Sequence, residues 1–157
     1  MAKTMLKVGQ KAPDFRLKTD EGKEVSLKEF KGKRVLVYFY PRANTPGCTT
    51  EACEFRDLRP KFDKEDITIL GVSADPEKAL ASFRAKQKLN FPLLSDPEHE
   101  TIEAFGAWQK KKFMGREFMG IVRSSFLIGP DGKIEEVWDT VKAKGHAAEV
   151  LAKASVE

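Results

Sequence analysis

Cysteine, histidine and long apolar runs are all scarce in this sequence. Its 157 residues include two cysteines, Cys48 and Cys53, and two histidines, His99 and His146. The longest apolar run, residues 35–40, is far too short to cross a bilayer, and the first residues lack the apolar core of a signal peptide. These absences argue against a membrane-spanning or secreted protein. We expect a cytoplasmic protein with no membrane partner.

An excess of charge of one sign is also missing. The 28 basic and 24 acidic side chains give a formal net charge of +4 and are dispersed along the chain. Such a balance is typical of a soluble surface and does not indicate nucleic-acid binding. The densest basic segment is WQKKKFMGR, residues 108–116. We expect this segment to be a solvated loop, and we expect no nucleic-acid partner.

Length and composition predict a single domain over residues 1–157. No linker, repeat or low-complexity block interrupts the sequence. A chain of this length buries a sizeable core without disulfides or structural metals, so the cysteines are not needed as cross-links. Because cytosolic thiols are usually kept reduced, a pair this close in sequence indicates redox chemistry or metal binding.

The apolar pattern predicts two central strands with a helix between them. Residues 34–40 and 67–73 are short, almost wholly apolar and rich in β-branched or aromatic side chains, as strands covered on both faces are. Between them, residues 49–61 carry apolar side chains at broadly helical spacing. This helix is expected to end near Pro60.

Two Asp-Pro pairs predict further helix starts. Asp75 and Asp96 each precede a proline, so the carboxylate is suited to cap a helix and the proline to occupy its first position. We expect helices over residues 76–88 and 97–105.

Turn residues predict two hairpins. A Gly-Pro-Asp-Gly turn joins residues 124–128 to 133–138, and a polar turn joins residues 15–17 to 24–26. A last helix is expected over residues 146–153. The whole order predicts an α/β fold in which a mixed central sheet is flanked by helices and preceded by an N-terminal β-hairpin.

Cys48 is expected in the first turn of the helix that follows the first apolar strand. Unpaired backbone N–H groups and the helix dipole favour an anion there, and the thiolate is the reactive form of cysteine. Thr45, three residues earlier, carries a hydroxyl able to donate to the sulfur or to a bound oxygen. Pro41 fixes the entry of the loop and helps to exclude water. In open α/β sheets, chemistry is usually found just beyond the carboxyl ends of the strands.

Cys53 lies five residues after Cys48, and helix geometry limits what the pair can do. Positions i and i+5 of an α-helix have Cα atoms roughly 8.6 Å apart and side chains roughly 140° apart around the axis. A disulfide needs Cα atoms within about 7 Å. The two sulfurs therefore cannot bond while the helix is intact, and a disulfide requires its first turns to unwind.

Other interpretations of the cysteines are weaker. A closed zinc site needs four ligands, whereas the chain offers two cysteines and two distant histidines without a zinc-binding pattern, so we expect no metal and no cofactor. A cysteine hydrolase would need His99 or His146 as a base, and each is explained more simply as a helix-surface residue. Two incidental buried thiols stay open as an alternative on these arguments alone.

Motifs spread over nearly the whole chain resemble one known family. Pro41, Thr45 and Cys48 match the Pro-x-x-x-Thr-x-x-Cys signature of peroxiredoxins. Residues 37–49 resemble the bacterioferritin comigratory protein, or peroxiredoxin Q, subgroup. The other matching segments are residues 8–15, 93–96 and 123–128. Several motifs in the expected order are far more specific than one cysteine signature.

The resemblance implies a thioredoxin-like fold and a thiol peroxidase that serves redox homeostasis and antioxidant defence. It implies that Cys48 is the peroxidatic cysteine, that Cys53 is the resolving cysteine and that Arg123 is the active-site arginine. The implied substrates are hydrogen peroxide and organic hydroperoxides. A Cys48–Cys53 disulfide would be reduced by thioredoxin or a similar dithiol partner, and a monomer is expected for this subgroup. Glu51 is expected to orient an arginine, although the helix dipole alone also explains a glutamate there.

Two rival functions are considered beside this one. A thiol–disulfide oxidoreductase on the same kind of fold would favour Cys-x-x-Cys, so the wider spacing found here argues against it. In a redox-regulated holdase, unwinding of the helix would expose Phe55 and Leu58. Such a protein would consume peroxide stoichiometrically and not catalytically.

Overall fold

A computed structural model describes residues 5–155 of the chain. Its main feature is a seven-stranded mixed sheet with the strand order β2-β1-β5-β4-β3-β8-β9, beside a separate two-stranded sheet of β6 and β7. The strands are β1 (Arg16–Thr19), β2 (Glu24–Ser26), β3 (Arg34–Phe39), β4 (Ile67–Ser73), β5 (Leu93–Ser95), β6 (Trp108–Phe113), β7 (Arg116–Ile121), β8 (Ser124–Ile128) and β9 (Ile134–Trp138). The helices are α1 (Pro46–Lys64), α2 (Glu77–Gln87), α3 (Glu100–Ala104) and α4 (His146–Ala154), and a short 3-10 helix covers Leu27–Phe30.

The two apolar strands β3 and β4 lie at the centre of the large sheet, as the sequence predicts. They pair in parallel, with Val37 opposite Leu70, while β8 pairs antiparallel to β3 on its other side. Side chains alternate across the faces of β3, so that Tyr38 joins a core cluster with α1, α2 and α4, whereas Phe39 joins the opposite cluster with Phe105. The prediction of a mixed sheet with helices on both faces is confirmed.

Helix α1 is longer than the sequence predicts. It runs to Lys64 and passes through Pro60, where we expected it to end. A proline in a helix leaves the carbonyl four residues earlier without its usual N–H partner. Here that carbonyl belongs to Arg56, and the side-chain Nδ2 of Asn90 donates to it at 3.2 Å. A tertiary contact thus supplies the missing donor, and the helix continues.

Neither aspartate occupies the N-cap position that the sequence predicts. Pro76 and His99 are the N-cap residues of α2 and α3, and neither of these two residues caps its helix with its own side chain. Asp75 instead accepts hydrogen bonds from the backbone N–H of Ala43 at 2.7 Å and from the hydroxyl of Ser73 at 2.8 Å. The carboxylate therefore ties the loop after β3 to the end of β4.

Asp96 still caps α3, although from outside the N-cap position, because its carboxylate accepts from the backbone N–H of Ile102, the third residue of that helix, at 2.9 Å. His99 between them has a positive φ of 47°, which breaks the helical path from Pro97. Helix α3 consequently begins at Glu100 and is shorter than predicted.

Both predicted hairpins are confirmed, whereas the predicted loop at residues 108–116 is wrong. The N-terminal hairpin of β1 and β2 and the C-terminal hairpin of β8 and β9 are both present, and α4 lies where expected. Residues 108–116, however, are not a solvated loop, because β6 and β7 pair along their length. Met114 and Gly115 have φ values of 51° and 78°, the pair of positive angles that a tight two-residue hairpin turn requires.

No helix within residues 5–155 is long and apolar enough to cross a membrane.

Candidate active site

Cys48 lies at the start of α1, just beyond the carboxyl end of β3. Thr45 is the N-cap residue in an extended conformation, Pro46 opens the helix, and Cys48 follows in the first turn, as predicted. The side chain is only 2% exposed. Its sulfur is therefore near the unpaired N–H groups of the helix start, where a negative charge is favoured.

Arg123 bridges Cys48 and Glu51. Its Nη2 donates to the Sγ of Cys48 at 3.3 Å, and its Nη1 donates to the Oε1 of Glu51 at 2.6 Å. Arg123 directly precedes β8, and the pairing of Ser124 with Phe39 brings it beside the end of β3. Residues 75 positions apart in the sequence thus meet at one edge of the sheet.

Burial shapes the charges of this trio. Desolvation raises the pKa of Glu51 to about 7, although the neighbouring Arg123 acts in the opposite direction. Desolvation by itself would lower the pKa of Arg123, but Glu51 and Cys48 outweigh it and the pKa is raised. The guanidinium is therefore a permanent cation at the sulfur. The second carboxyl oxygen of Glu51, Oε2, is buried and has no hydrogen-bond partner among residues 5–155, in keeping with the resistance of this carboxyl group to ionisation.

Cys53 lies on the same wound helix as a second free thiol. Its sulfur is half-buried and 3.6 Å from the Oε1 of Gln87, to which the thiol donates. The continuous helix and the two unbonded cysteines occur together. This confirms the geometric prediction that a wound helix keeps the two sulfurs apart.

Known proteins resemble this chain in both sequence and fold. The family model described as "AhpC/TSA family" matches residues 8–137. The chain belongs to the AhpC/TSA family. It is 49% identical over 146 residues to peroxiredoxin Bcp of Bacillus subtilis (strain 168), covering 93% of both chains. It is also 49% identical to peroxiredoxin Bcp of Escherichia coli (strain K12), covering 93% of this chain and 94% of the other.

Solved peroxiredoxin structures share the fold. Peroxiredoxin Q of Xanthomonas campestris matches with a TM-score of 0.87 and 40% identity, covering 91% of this chain and 90% of the other. A cysteine-to-serine variant of the Xylella fastidiosa protein PrxQ matches with a TM-score of 0.91 and 38% identity, covering 96% of each chain. The resemblance to the peroxiredoxin Q subgroup and the thioredoxin-like fold are confirmed, and the chain is a thiol peroxidase.

Two further residues of the peroxiredoxin signature, Thr45 and Pro41, lie on the segment that leads from β3 into α1. Thr45 donates its hydroxyl proton to the backbone carbonyl of Arg42 at 2.8 Å. Because a hydroxyl has one proton, the expected donation to the Cys48 sulfur is not made in this arrangement, and donation to a bound peroxide requires the hydroxyl to rotate. Pro41 lies half-buried at the bend that follows β3.

Gly47 is a site residue that the sequence analysis missed. A Cβ atom at this position would lie 3.2 Å from the Nη2 of Arg123, which is closer than an ordinary van der Waals contact. The absent side chain thus leaves the guanidinium room to reach the sulfur. The available signal was a glycine directly before Cys48 in a first helical turn, where a glycine lowers helix propensity.

Lys111 of β6 adds a second cation near the sulfur. Its ammonium donates to the carbonyl of Ile121 at 2.9 Å, two residues before Arg123. Burial, followed by the charge of Arg123, lowers the pKa of Lys111. The sequence alone does not indicate a role for this residue, because its pattern predicts a loop around Lys111.

The histidines differ from expectation in one case. His146 is not a surface residue, because it is 2% exposed and packs edge-on against Phe55 and Trp138. Its ring nitrogens form hydrogen bonds with Ser125 at 2.7 Å and with Glu149 at 2.9 Å. Burial lowers the pKa of His146. The imidazole ring of His146 is therefore a neutral core side chain that packs against Phe55 of α1.

Proposed function

We propose that Cys48 is the nucleophile with which this thiol peroxidase reduces hydroperoxides, and that Cys53 resolves the oxidised product. One observation carries the proposal. The Arg123 guanidinium, held by Glu51, donates to a buried sulfur at a helix start. Arg123, Thr45 and Pro41 are the other residues to which we assign roles in the site.

The first step is a two-electron transfer. The Cys48 thiolate attacks one oxygen of the peroxide, an S–O bond forms, and the O–O bond breaks. The leaving oxygen takes a proton and departs as water or an alcohol, and Cys48 becomes a sulfenic acid. Charge spreads over the sulfur and both oxygens in the transition state, so fixed donors such as the guanidinium of Arg123 accelerate the reaction.

The second step needs a change of shape. The thiol of Cys53 attacks the sulfenic sulfur, the S–O bond breaks, and water leaves as the disulfide forms. Because α1 keeps the two sulfurs apart, its first turns must unwind. The hydrogen bond from the Cys53 thiol to the Oε1 of Gln87 must also break. A dithiol reductant such as thioredoxin then restores both thiols.

Hydrogen peroxide and organic hydroperoxides are the proposed substrates. A solved relative, the bacterioferritin comigratory protein of Xanthomonas campestris, is described by its alkyl peroxide reduction activity, and it is 39% identical to this chain. Antioxidant defence and redox homeostasis follow from this chemistry. A single domain, a monomer and a cytoplasmic location stay predictions.

The cysteine roles are tested with Cys48→Ser and Cys53→Ser in an assay that couples peroxide consumption to thioredoxin and its reductase. Cys48→Ser should abolish turnover, and appreciable residual activity would disprove its assignment as the nucleophile. Cys53→Ser should still form a sulfenic acid that a dimedone-type reagent traps, while thioredoxin-dependent turnover collapses.

Mass spectrometry of the parent protein after one equivalent of peroxide identifies the resolving step. We expect an intramolecular bond between Cys48 and Cys53. A disulfide between two chains would disprove that step while leaving the role of Cys48 intact.

A further inference from the structure

The β6–β7 hairpin, residues 108–121, stands apart from the main sheet. Among residues 5–155, β6 and β7 pair with each other and with no other strand. Its base is anchored, since Trp108 stacks on His99 with ring centroids 4.0 Å apart and Ile121 is 4% exposed. Its other end is the tight turn at Met114 and Gly115. The hairpin is therefore anchored by packing at its base, and its tip, Phe113 and Met114, lies at the far end.

That tip is apolar and exposed. Phe113 is 67% exposed and Met114 is 86% exposed, while Phe118 and Met119 on the following strand are 48% and 42% exposed. The remaining large apolar side chain exposed within residues 5–155 is Val8. Exposed large apolar residues are therefore gathered on this hairpin, and such a cluster on a protein surface marks an interaction site.

The same hairpin is strongly basic. It carries Lys110, Lys111, Lys112 and Arg116 against a single acidic residue, Glu117. Glu117 pairs with Lys110 at 3.2 Å, whereas Lys112 and Arg116 have no acidic partner among residues 5–155. These two cations flank the turn directly behind the apolar tip. The partner of this surface must therefore offer both an apolar layer and negative charge.

We propose that the tip of the β6–β7 hairpin docks on an anionic phospholipid surface. Phe113 and Met114 enter the boundary between headgroups and acyl chains, and Lys112 and Arg116 contact the phosphates. When the tip leads, its apolar side chains reach the acyl boundary while the cations behind them stay at the level of the headgroup phosphates. The contact is peripheral and needs no spanning segment.

This inference revises the expectation of no membrane partner. That expectation came from the lack of a long apolar run, which argues against a spanning helix. The lack of a long apolar run gives no information about the apolar tip, which forms only when the β6–β7 hairpin folds. In an irregular loop, residues 113 and 114 would not indicate a binding surface. In the hairpin they lie together at the turn.

Co-sedimentation with vesicles tests the proposal on the full, reduced chain. We expect binding to vesicles of equal parts phosphatidylglycerol and phosphatidylcholine, weakening as salt is added, and little binding to phosphatidylcholine alone. Replacing both cations, Lys112→Gln with Arg116→Gln, should weaken binding about 30-fold. Replacing the tip, Phe113→Ser with Met114→Ser, should weaken it about tenfold.

Matched variants elsewhere on the surface control for charge and exposed apolar area. Val8→Ser removes an exposed apolar side chain, and Lys31→Gln with Lys33→Gln removes two exposed cations. Both should bind as the parent does, and circular dichroism should show the same fold for all variants. The proposal is overturned if the anionic vesicles bind none of the protein, or if the control variants lose as much affinity as the hairpin variants. It is also overturned if the parent self-associates through the tip, as judged by light scattering, without binding vesicles.

Discussion

Arg123 is the single residue on which the proposed chemistry most depends. Its two terminal nitrogens reach different partners, Cys48 at 3.3 Å and Glu51 at 2.6 Å. A planar guanidinium is suited to such a bridge because its donors point in fixed directions. The precision of the site therefore depends on the residues that leave Arg123 room and hold it in place.

Gly47→Ala should reduce the rate of peroxide reduction without destabilising the fold. The added methyl would meet the Nη2 of Arg123 at 3.2 Å and displace it from the sulfur, while alanine is a better helix former than glycine. We expect the peroxide rate constant to fall about tenfold, as when one preorganised transition-state donor is misplaced, and thermal stability to stay equal or rise. Stopped-flow kinetics and thermal unfolding measure the two effects. Thr50→Ala, at an exposed position of the same helix, is the control, and an unchanged rate in Gly47→Ala would contradict the prediction.

Glu51→Gln should change how stability depends on pH. Burial raises the pKa of Glu51 from 4.5 to about 7 in the folded protein. The folded state therefore favours the protonated form, and that contribution to stability is full below pH 4.5 and is lost as the pH rises towards 7. Because glutamine does not titrate, the free energy of unfolding of the parent should fall relative to Glu51→Gln over this range. The fall should be at most about 3 kcal/mol.

Urea unfolding of the two reduced proteins at several pH values between 4.5 and 7 measures this difference. Other titrating groups, His146 among them, are common to both proteins and cancel in the comparison. A difference that stays constant over the range would contradict the assignment of the raised pKa to Glu51.

At the scale of elements, hydrogen bonds around Cys53 join α1 to the end of α2 and to the start of α4. The thiol donates to the Oε1 of Gln87, and Arg56 donates to the carbonyl of the same glutamine at 2.6 Å. On the other side, Glu54 accepts from the backbone N–H of Gly145 at 2.7 Å, just before α4. In the proposed mechanism, unwinding of the first turns breaks the hydrogen bonds of Cys53 and Glu54, so we expect these contacts to influence how readily the disulfide forms.

Gln87→Ala should accelerate disulfide formation, because it removes the partner of the Cys53 thiol. A thiol is a weak donor, so we expect an increase of about threefold in the rate at which the sulfenic acid becomes a disulfide. Overoxidation of Cys48 at a fixed peroxide dose should fall accordingly. Acid quenching followed by mass spectrometry gives both quantities. Lys86→Ala, an exposed neighbour on α2, should behave as the parent, and an unchanged or slower rate in Gln87→Ala would refute the role of this tie.

Pro60→Ala should stabilise α1. Alanine restores an N–H group to the helix and has a much higher helix propensity than proline. The gain is smaller than the full difference in propensity, because Asn90 already donates to the Arg56 carbonyl. We expect about 1–2 kcal/mol, or a rise of about 4 °C in Tm, measured by thermal unfolding of the reduced protein. Lys61→Ala is the neighbouring control, and a lower Tm in Pro60→Ala would show that the proline is needed for another reason.

At the scale of the whole molecule, the site joins the buried central sheet to a helix start that unwinds in the proposed mechanism. Strands β3, β4 and β8 are almost wholly buried and form the middle of the large sheet. The first turns of α1 pack Cys48, Ala52 and Phe55 into the core cluster and also make polar contacts with α2, α4 and Arg123. The proposed unwinding must therefore break buried packing as well as hydrogen bonds, while the strands at the centre of the sheet stay folded.

Hydrogen exchange should therefore differ between the reduced and oxidised protein in one region. Oxidation to the Cys48–Cys53 disulfide should remove protection from residues 46–57 and from Gly145, whose N–H loses its bond to Glu54. The amides of β3, β4 and β8 should keep their protection. Cys53→Ser treated with the same peroxide dose is the control, since it cannot close this disulfide. Equal protection of residues 46–57 in both redox states would contradict the unwinding step.

Much of the fold followed from local patterns in the sequence. The apolar strands β3 and β4 were visible as short buried runs, and Cys48 was expected in a first helical turn from the Thr-Pro-Gly before it. The errors occurred where a distant residue decided the outcome. Pro60 did not end α1 because Asn90 supplies a donor, and Asp75 did not cap α2 because Ala43 and Ser73 bind its carboxylate.

The sequence by itself determined the chemistry: a cysteine in a first helical turn, and a second cysteine five residues on that cannot bond to it while the helix is wound. Both follow from helix geometry and dipole, which depend only on neighbours along the chain. Tertiary structure decided the environment of that chemistry. It brought Arg123 to the sulfur, buried Glu51 and His146, and turned an expected loop into a hairpin with an exposed tip. These features depend on strand pairing and burial between distant segments, which no local pattern specifies.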